Sequence, residues 1–385
     1  MFKFSLGRKR GKIIAVADIG SGSVAFAIAA TSRGKPSRVL FAERSILPFE
    51  ERTRDATITG LGQHLEETGK KMMTAYTASG AKAPIDALYC IVRAPWSRSR
   101  GVRVQEDLKE PTVVTAGIIS ELAKRALAAE TELDKKNLLE AMVVKVELNG
   151  YETAEPEKKV AHSVAVCALL SDCDPALRAL IQEKLRVLAP QVKPQWRSAT
   201  RALLSEVRDM SASTDDRFIV EVVTEGTNMT VVREGVVAGQ RIVEEGVRAI
   251  LARLTPGGMG EETLALMRML ENEQCTSPAC EALRVSMAKI EPELVRVFGE
   301  GMAALGTARR LPNKVLLVAH PDMLPWLSKF FTRIDFTQFT TTTQPFEIEQ
   351  LGLAAFSRRV VEAEKVVIDP ALALSIALVN REESA

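Results

Sequence analysis

Apolar positions gather in short runs, each closed by a turn or an acid. Residues 13–17 are apolar without a charge, Asp18 ends the run, Gly20, Ser21, Gly22 and Ser23 turn, and residues 24–30 resume as a second apolar run. Such runs predict strands buried on both faces, here a β-hairpin with an acid, two glycines and two hydroxyls at its tip. Residues 36–46 predict a third strand, and Ile58, Leu61, Leu65, Met72, Met73 and Tyr76 put a helix over 56–79. Residues 85–94 predict a buried strand closed by Pro95.

The texture then changes. Residues 98–103 are basic and 105–110 acidic, which predicts an excursion out of the sheet. Thr115 suits the cap of a helix over 116–130. Residues 142–148 (MVVKVEL) alternate like a half-exposed strand, Asn149-Gly150 signals a hairpin turn, and 160–170 returns as a strand. One helix with a few strands predicts a small inserted α+β subdomain. Helices follow over 175–188 and 199–210, and the polar stretch 211–216 (SASTDD) is the expected boundary between two halves.

The second half starts over. Strands at 218–223, 229–233 and 236–243 precede Gly246 and a helix to about residue 254. Strand, turn, strand, turn, strand and helix repeats the opening plan. Residues 255–308 are mostly helical, with an apolar stripe through Leu283, Met287, Ile290, Leu294 and Phe298. Residues 314–319 predict a buried strand, a helix carries Met323, Leu324, Trp326 and Leu327, residues 336–343 suit an exposed strand, and 371–379 form a short last helix that Asp369-Pro370 starts well.

The 385 residues suffice for two or three domains, and 51 Lys plus Arg against 49 acids give no global argument for nucleic acid. Five cysteines without a CxxC pair and three histidines offer no metal-ligand spacing and read as ordinary thiols of a reducing compartment. No run of about 18 apolar residues predicts a membrane span. The first residues, MFKFSLGRKRGK, set Phe2, Phe4 and Leu6 beside basic side chains, at most a weak contact for an anionic membrane surface.

The hairpin tip carries the candidate chemistry. Glycines let backbone approach a ligand, successive N–H groups cradle phosphate, and Asp18 is placed to hold Mg²⁺ directly or through water. No Gly-Lys-Ser/Thr follows, so it is not a Walker loop. DIGSGSV resembles the phosphate-1 signature of the PilM/FtsA branch of the actin-like superfamily. The order of pieces matches that branch over essentially the whole chain, its PilM side more closely, and DPALALSIALVN is similar to the final helix there. Residues 220–246 resemble its phosphate-2 region, with Thr227, Gly235, Arg241 and Gly246 in the expected places.

The resemblance implies an α/β, actin-like (ribonuclease H-like) two-lobed fold with an inserted SHS2-like 1C subdomain. The first lobe would comprise 1–96, 171–212 and 366–385, the insert 97–170, the second lobe 213–254 and 314–365, and a helical subdomain 255–313. It implies ATP with Mg²⁺ held by Asp18, Gly20, Ser21, Gly22, Ser23, Glu221, Thr227 and Gly246, with Asp18 the metal ligand. It also implies a cytoplasmic scaffold at the inner face of the membrane, docking the tail of a PilN-like inner-membrane protein; residues 142–148 and 116–130 are the candidate groove. The alternative within the branch is an FtsA-like division protein that self-associates into filaments.

Departures from the pattern bear on the cofactor. Glu221-Val222-Val223 replaces Asp-Ile-Gly, Ala319-His320-Pro321 replaces a strand running into Gly-Gly, and Ala25 stands where many relatives place lysine. Valine resists the positive φ open to glycine, and proline lacks an N–H. Each lost donor or ligand costs on the order of 1–3 kcal/mol, which predicts ATP binding that is weak or lost. No residue stands out as a general base, so no catalytic residue and no enzyme activity are expected. Arg268 lies where the branch approaches the ribose, though a solvated arginine is the plainer reading.

Overall fold

The computed structural model describes residues 11–81, 83–210, 216–275 and 277–384. The basic-aromatic start of the chain and most of the 211–216 break fall outside them. The first unit opens with β1 (Lys12–Ile19), β2 (Ser23–Thr31) and β3 (Ser37–Ile46), an antiparallel meander, followed by α1 (Arg54–Ala78) and β4 (Ala87–Val92). β4 returns parallel to β1, so the hairpin strand lies mid-sheet and is buried on both faces. Ile14 and Val16 point to one face, Ala15, Ala17 and Ile19 to the other.

Next come β5 (Ser97–Val113), α2 (Ala116–Ala129), β6 (Leu138–Leu148), β7 (Tyr151–Glu152) and β8 (Val160–Cys173). The strands form a separate four-stranded sheet in the order β5-β8-β6-β7, on which α2 sets Leu122 and Ala126. The chain then re-enters the first unit through α3 (Pro175–Leu188), β9 (Pro194–Ser198) and α4 (Ala199–Met210). β9 pairs parallel with β4.

The meander repeats in β10 (Arg217–Val223), β11 (Gly226–Arg233) and β12 (Val236–Val243). After α5 (Val247–Leu254), α6 (Gly260–Glu271) and α7 (Pro278–Gly306), β13 (Lys314–Val318) returns parallel to β10. The last elements are α8 (Leu324–Arg333), β14 (Glu347–Gln350), β15 (Val360–Glu362) and α9 (Pro370–Ser384). β14 extends the five-stranded sheet, and β15 crosses back to the edge of the six-stranded one. The two sheets therefore read β15-β3-β2-β1-β4-β9 and β12-β11-β10-β13-β14, the same winding twice. α4 and α9 lie between them: Leu203, Val207, Leu374 and Leu378 share one buried cluster with Ile14 and Val16 of the first sheet and Ile219 and Leu316 of the second.

The structure corrects several sequence expectations. The charged stretch after Pro95 does leave the first sheet, but as an ordered 17-residue strand, β5, at the outer edge of the inserted sheet with most of its charges facing water. The strand at 142–148 is not half-exposed. Val143, Val146 and Leu148 pack within the inserted sheet's own cluster, Met142 and Val144 on the cluster between the lobes. Lys145 and Glu147 pass for solvent-facing positions, yet they are buried and paired at 2.9 Å. Residues 336–343 form no strand: Asp335 accepts the Thr337 N–H at 2.9 Å and starts a 3₁₀ turn, while Phe336 joins Phe330, Phe331 and Phe346 in an aromatic cluster. Cys275 and Cys280 stand side by side, their Cα atoms 6.0 Å apart; the other three cysteines are buried thiols. Among the described residues no helix is long and apolar enough to cross a membrane.

Candidate functional site

The ends of β1 and β10 face each other where the two meanders meet, the carboxyl-end crevice at which open α/β sheets bind ligands. Asp18 stands at the first, Glu221 at the second, 0% and 1% exposed. Asp18 carries more partners than its own hairpin supplies. Arg44, from β3, donates Nη2 to its Oδ2 at 2.6 Å. Arg93, directly after β4, donates Nε to its Oδ1 at 2.9 Å, and Ser375 of α9 donates its hydroxyl to the same oxygen at 3.0 Å.

Arg93 continues across the crevice. Its Nη1 donates to Glu221 Oε1 at 2.9 Å, and its Nη2 donates to the Ala371 carbonyl at 2.7 Å and to Ser375 Oγ at 3.3 Å. Asn228 donates to the second Glu221 oxygen at 3.3 Å. The guanidinium is 4% exposed and thus enclosed by its acceptors. Burial alone disfavours its charge, but Asp18 and Glu221 outweigh that and raise its pKa. Arg44 is raised in the same way, burial opposing and Asp18 and Asp369 prevailing. Arg44 also donates Nε to Asp369 Oδ2 at 2.7 Å and Nη1 to Ser23 Oγ at 3.0 Å, so both arginines bind β1 to the start of α9.

The hairpin tip is packed rather than open. Gly20 N–H closes the turn on the Ser23 carbonyl at 2.8 Å, and Trp96 donates to the Gly20 carbonyl at 3.0 Å. Ser21 Oγ accepts the Glu225 N–H at 3.1 Å. A Cβ on Gly22 would stand 2.5 Å from Thr224 Cγ2, so the first loop lies directly on the second. Thr227 spends its hydroxyl on the Glu245 carbonyl at 2.5 Å, and a Cβ on Gly246 would meet Gly226 N at 2.3 Å. Glu225, where anion-binding backbone would be expected, is instead an anion: Arg248 pairs with it at 2.9 Å and Arg52 at 3.6 Å. On the far side Arg268 is held by Asp322 at 2.6 Å, and burial holds His320 below its ordinary value of 6.5.

Asp18, Gly20, Ser21, Gly22, Ser23, Glu221, Thr227 and Gly246 lie around one crevice, and their side chains are already engaged: Asp18 by Arg44, Arg93 and Ser375, Ser21 by the Glu225 N–H, Ser23 by Arg44, Glu221 by Arg93 and Asn228, and Thr227 by the Glu245 carbonyl. Mg²⁺ requires free carboxylate lone pairs, and phosphate requires unpaired N–H groups with room beside them. The residues present do not fit a Mg²⁺-nucleotide in this arrangement, and among the described residues no cluster of His, Cys, Asp and Glu is built to hold a metal. Sequence reasoning missed Arg44, Arg93, Asp369 and Ser375. The available signal was an arginine ending an otherwise apolar six-residue strand, ALYCIV.

The ionic framework sets the acid limit of stability. Burial pushes Asp369 up, but Arg44 and the Leu372 N–H outweigh it and hold the carboxyl below its usual range; Lys145 and Arg103 do the same for Glu147, and Arg359 and Arg381 for Asp209. A folded-state pKa below the unfolded one gives stability that is present above the unfolded value and lost as pH falls through the folded one. Urea midpoints are expected to drop most steeply below about pH 4, with a shallower loss from His320 below its unfolded value. An unchanged midpoint at pH 3 would contradict these pairings.

The winding repeated in two sheets around a shared crevice, with a four-stranded insert in the first unit, is the actin-like fold. The chain is similar to a solved PilM-PilN type IV pilus biogenesis complex, with a TM-score of 0.55 and 13% identity over 95% of this chain and 97% of that one. It is also similar to a Bacteroides thetaiotaomicron protein described as having an actin-like ATPase fold and unknown function, with a TM-score of 0.35 and 9% identity over 97% of this chain and 98% of that one. A third likeness is to the ethanolamine utilization protein EutJ from Carboxydothermus hydrogenoformans, with a TM-score of 0.37 and 13% identity over 94% and 88%. At 13% identity the likeness to the PilM-PilN complex shows the fold alone, and the other two add nothing to it. No protein-family model matches the chain, and no curated protein matches it.

Proposed function

We propose that this chain is a non-enzymatic, actin-like scaffold of a type IV pilus-like assembly machine. It stands at the inner face of the cytoplasmic membrane, docks the cytoplasmic tail of a PilN-like inner-membrane protein and binds ATP weakly or not at all. The observation that carries the nucleotide part is Arg93, which sits between Asp18 and Glu221 where a bound metal would stand. The scaffold part is supported by the likeness of fold to the PilM-PilN complex. In this reading 1–96, 171–212 and 366–385 form the first lobe, 97–170 the insert, 213–254 and 314–365 the second lobe, and 255–313 the helical subdomain. The partly exposed Ile118 and Ile119 of α2 take the place of the packed strand β6 as the candidate docking side of the insert.

Two calorimetric titrations test the reading. The tail peptide of the PilN-like protein from the same genome is expected to bind without nucleotide, with a Kd of about 10 μM, roughly 7 kcal/mol, as for a short peptide in a groove. Mg²⁺-ATP is expected to give no heat up to about 1 mM, an affinity ceiling near 4 kcal/mol. Tail binding that requires Mg²⁺-ATP, or no tail binding at all, overturns the proposal.

A further inference from the structure

We propose that Arg93 is a built-in cation that joins the two lobes in the way a metal-bound nucleotide would join them from outside, so that closure of the crevice needs no ligand. The guanidinium belongs to the first unit, directly after β4, and reaches Asp18 of β1 and Glu221 of β10, each at 2.9 Å. Both acids are buried. Two buried carboxylates facing one crevice repel each other unless a cation lies between them. A guanidinium is the side chain that can serve several acceptors at once, because its donors lie in one rigid plane. Here it also engages Ala371 and Ser375, and so ties the two lobes to α9 as well.

A second set of contacts repeats the exchange with the opposite sign. Glu225 of the second unit stands as a carboxylate between Arg248 and Arg52, and Arg52 comes from the segment after β3. The same segment reaches the second unit. Phe49 packs on the core of the second unit, and a Cβ on Gly260 would lie 2.7 Å from Phe49 Cβ. The contact between the lobes therefore holds an internal cation and an internal anion, and the segment after β3 packs on the second unit as well. This goes beyond the docking role: it concerns the isolated chain, and its test uses neither partner nor tail peptide, so the two can fail separately.

Hydrogen exchange at residues 19–24 and 223–228, the two loops in contact, reads the closure. In the wild-type protein Mg²⁺-ATP at about 1 mM is expected to leave their exchange unchanged. Arg93→Ala is expected to speed it about tenfold or more, the least that loss of a buried charge-assisted hydrogen bond should bring. Guanidinium chloride at about 10 mM, far under the molar concentrations that unfold proteins, should restore slow exchange where equal sodium chloride does not. If Arg93→Ala does not fold, the double variant Arg93→Met with Glu221→Met decides. It removes the cross-lobe pair together and leaves Asp18 with Arg44 and Ser375; its loops should exchange faster and ignore guanidinium. Exchange as slow as wild type in whichever variant folds overturns the proposal, and so does added protection of the wild-type loops by Mg²⁺-ATP.

Discussion

Asp18→Ala should destabilise this protein by about 3–5 kcal/mol, the range for stripping one partner from a buried ion pair. The carboxylate is the shared acceptor of Arg44, Arg93 and Ser375, and the buried Arg93 and Ser375 cannot reach water when it is gone. Arg93 would keep Glu221, and Arg44, itself partly exposed, would keep Asp369 and Ser23. Asp18→Asn should cost less, since the amide oxygen still accepts one bond while the charge is lost. Urea unfolding followed by circular dichroism measures both. A loss under about 1 kcal/mol for the alanine variant would mean that the arginines find other acceptors. The consequence reaches past stability: Asp18→Ala is a poor control for nucleotide binding, because it disturbs the lobes whether or not ATP ever binds.

Gly101→Ala is expected to have the next largest effect, at a place remote from the crevice. Gly101 lies on β5 where the insert crosses β12 of the second unit, and a Cβ there would stand 1.9 Å from the Val237 carbonyl oxygen. That neighbour is backbone and cannot rotate away, so one sheet must shift. The shift would strain the adjoining bond from Ser99 N–H to Gln240 Oε1, now 2.6 Å, and the link from Gln240 to Thr200 at 3.1 Å. Overpacking of this kind costs about 1–3 kcal/mol. The expected result is a lower urea midpoint together with faster proteolysis between residues 97 and 113, while exchange at the crevice loops stays as in the wild type. An unchanged midpoint would mean that the insert rides loosely on β12.

How much of this could be read from the chain depends on what periodicity encodes. The hairpin was legible because an uncharged run ended in Asp18 and a Gly-Ser turn, and the repeat was legible because residues 218–243 restate the same alternation of strand and turn. Burial of β1 on both faces follows from the uncharged run over residues 13–17. Partnership is not in the pattern. Lys145 and Glu147 alternate with valines as solvent-facing residues would, and their pairing, together with Arg103 on Glu147, makes burial tolerable. The charges of β5 marked the departure from the first sheet but hid the strand itself, because an outer strand needs few apolar residues. Arg93 looks like an ordinary end of a strand until Glu221, 128 positions later, is brought opposite, and Arg44 looks ordinary until Asp369 is. The departures at residues 221–223 and 319–321 were visible; the partners that Asp18 and Glu221 find across the crevice were not.

The late position of α9 has a consequence for how the chain comes off the ribosome. Ser375, which completes the shell around Asp18, lies 357 positions after it, and at about 5–20 residues per second that interval is roughly 20–70 s of synthesis. Until then the face of the first sheet formed by Ile14, Val16, Ala27 and Val39 lacks the helix that covers it. The charges that pin α9 arrive later still: Arg381 to Glu206, Glu382 to Arg197 and Glu383 to Lys12. The nascent first lobe is thus an incomplete, sticky sheet for most of its translation, and should be a client of ribosome-associated chaperones and a ready target for degradation whenever translation stalls near its end.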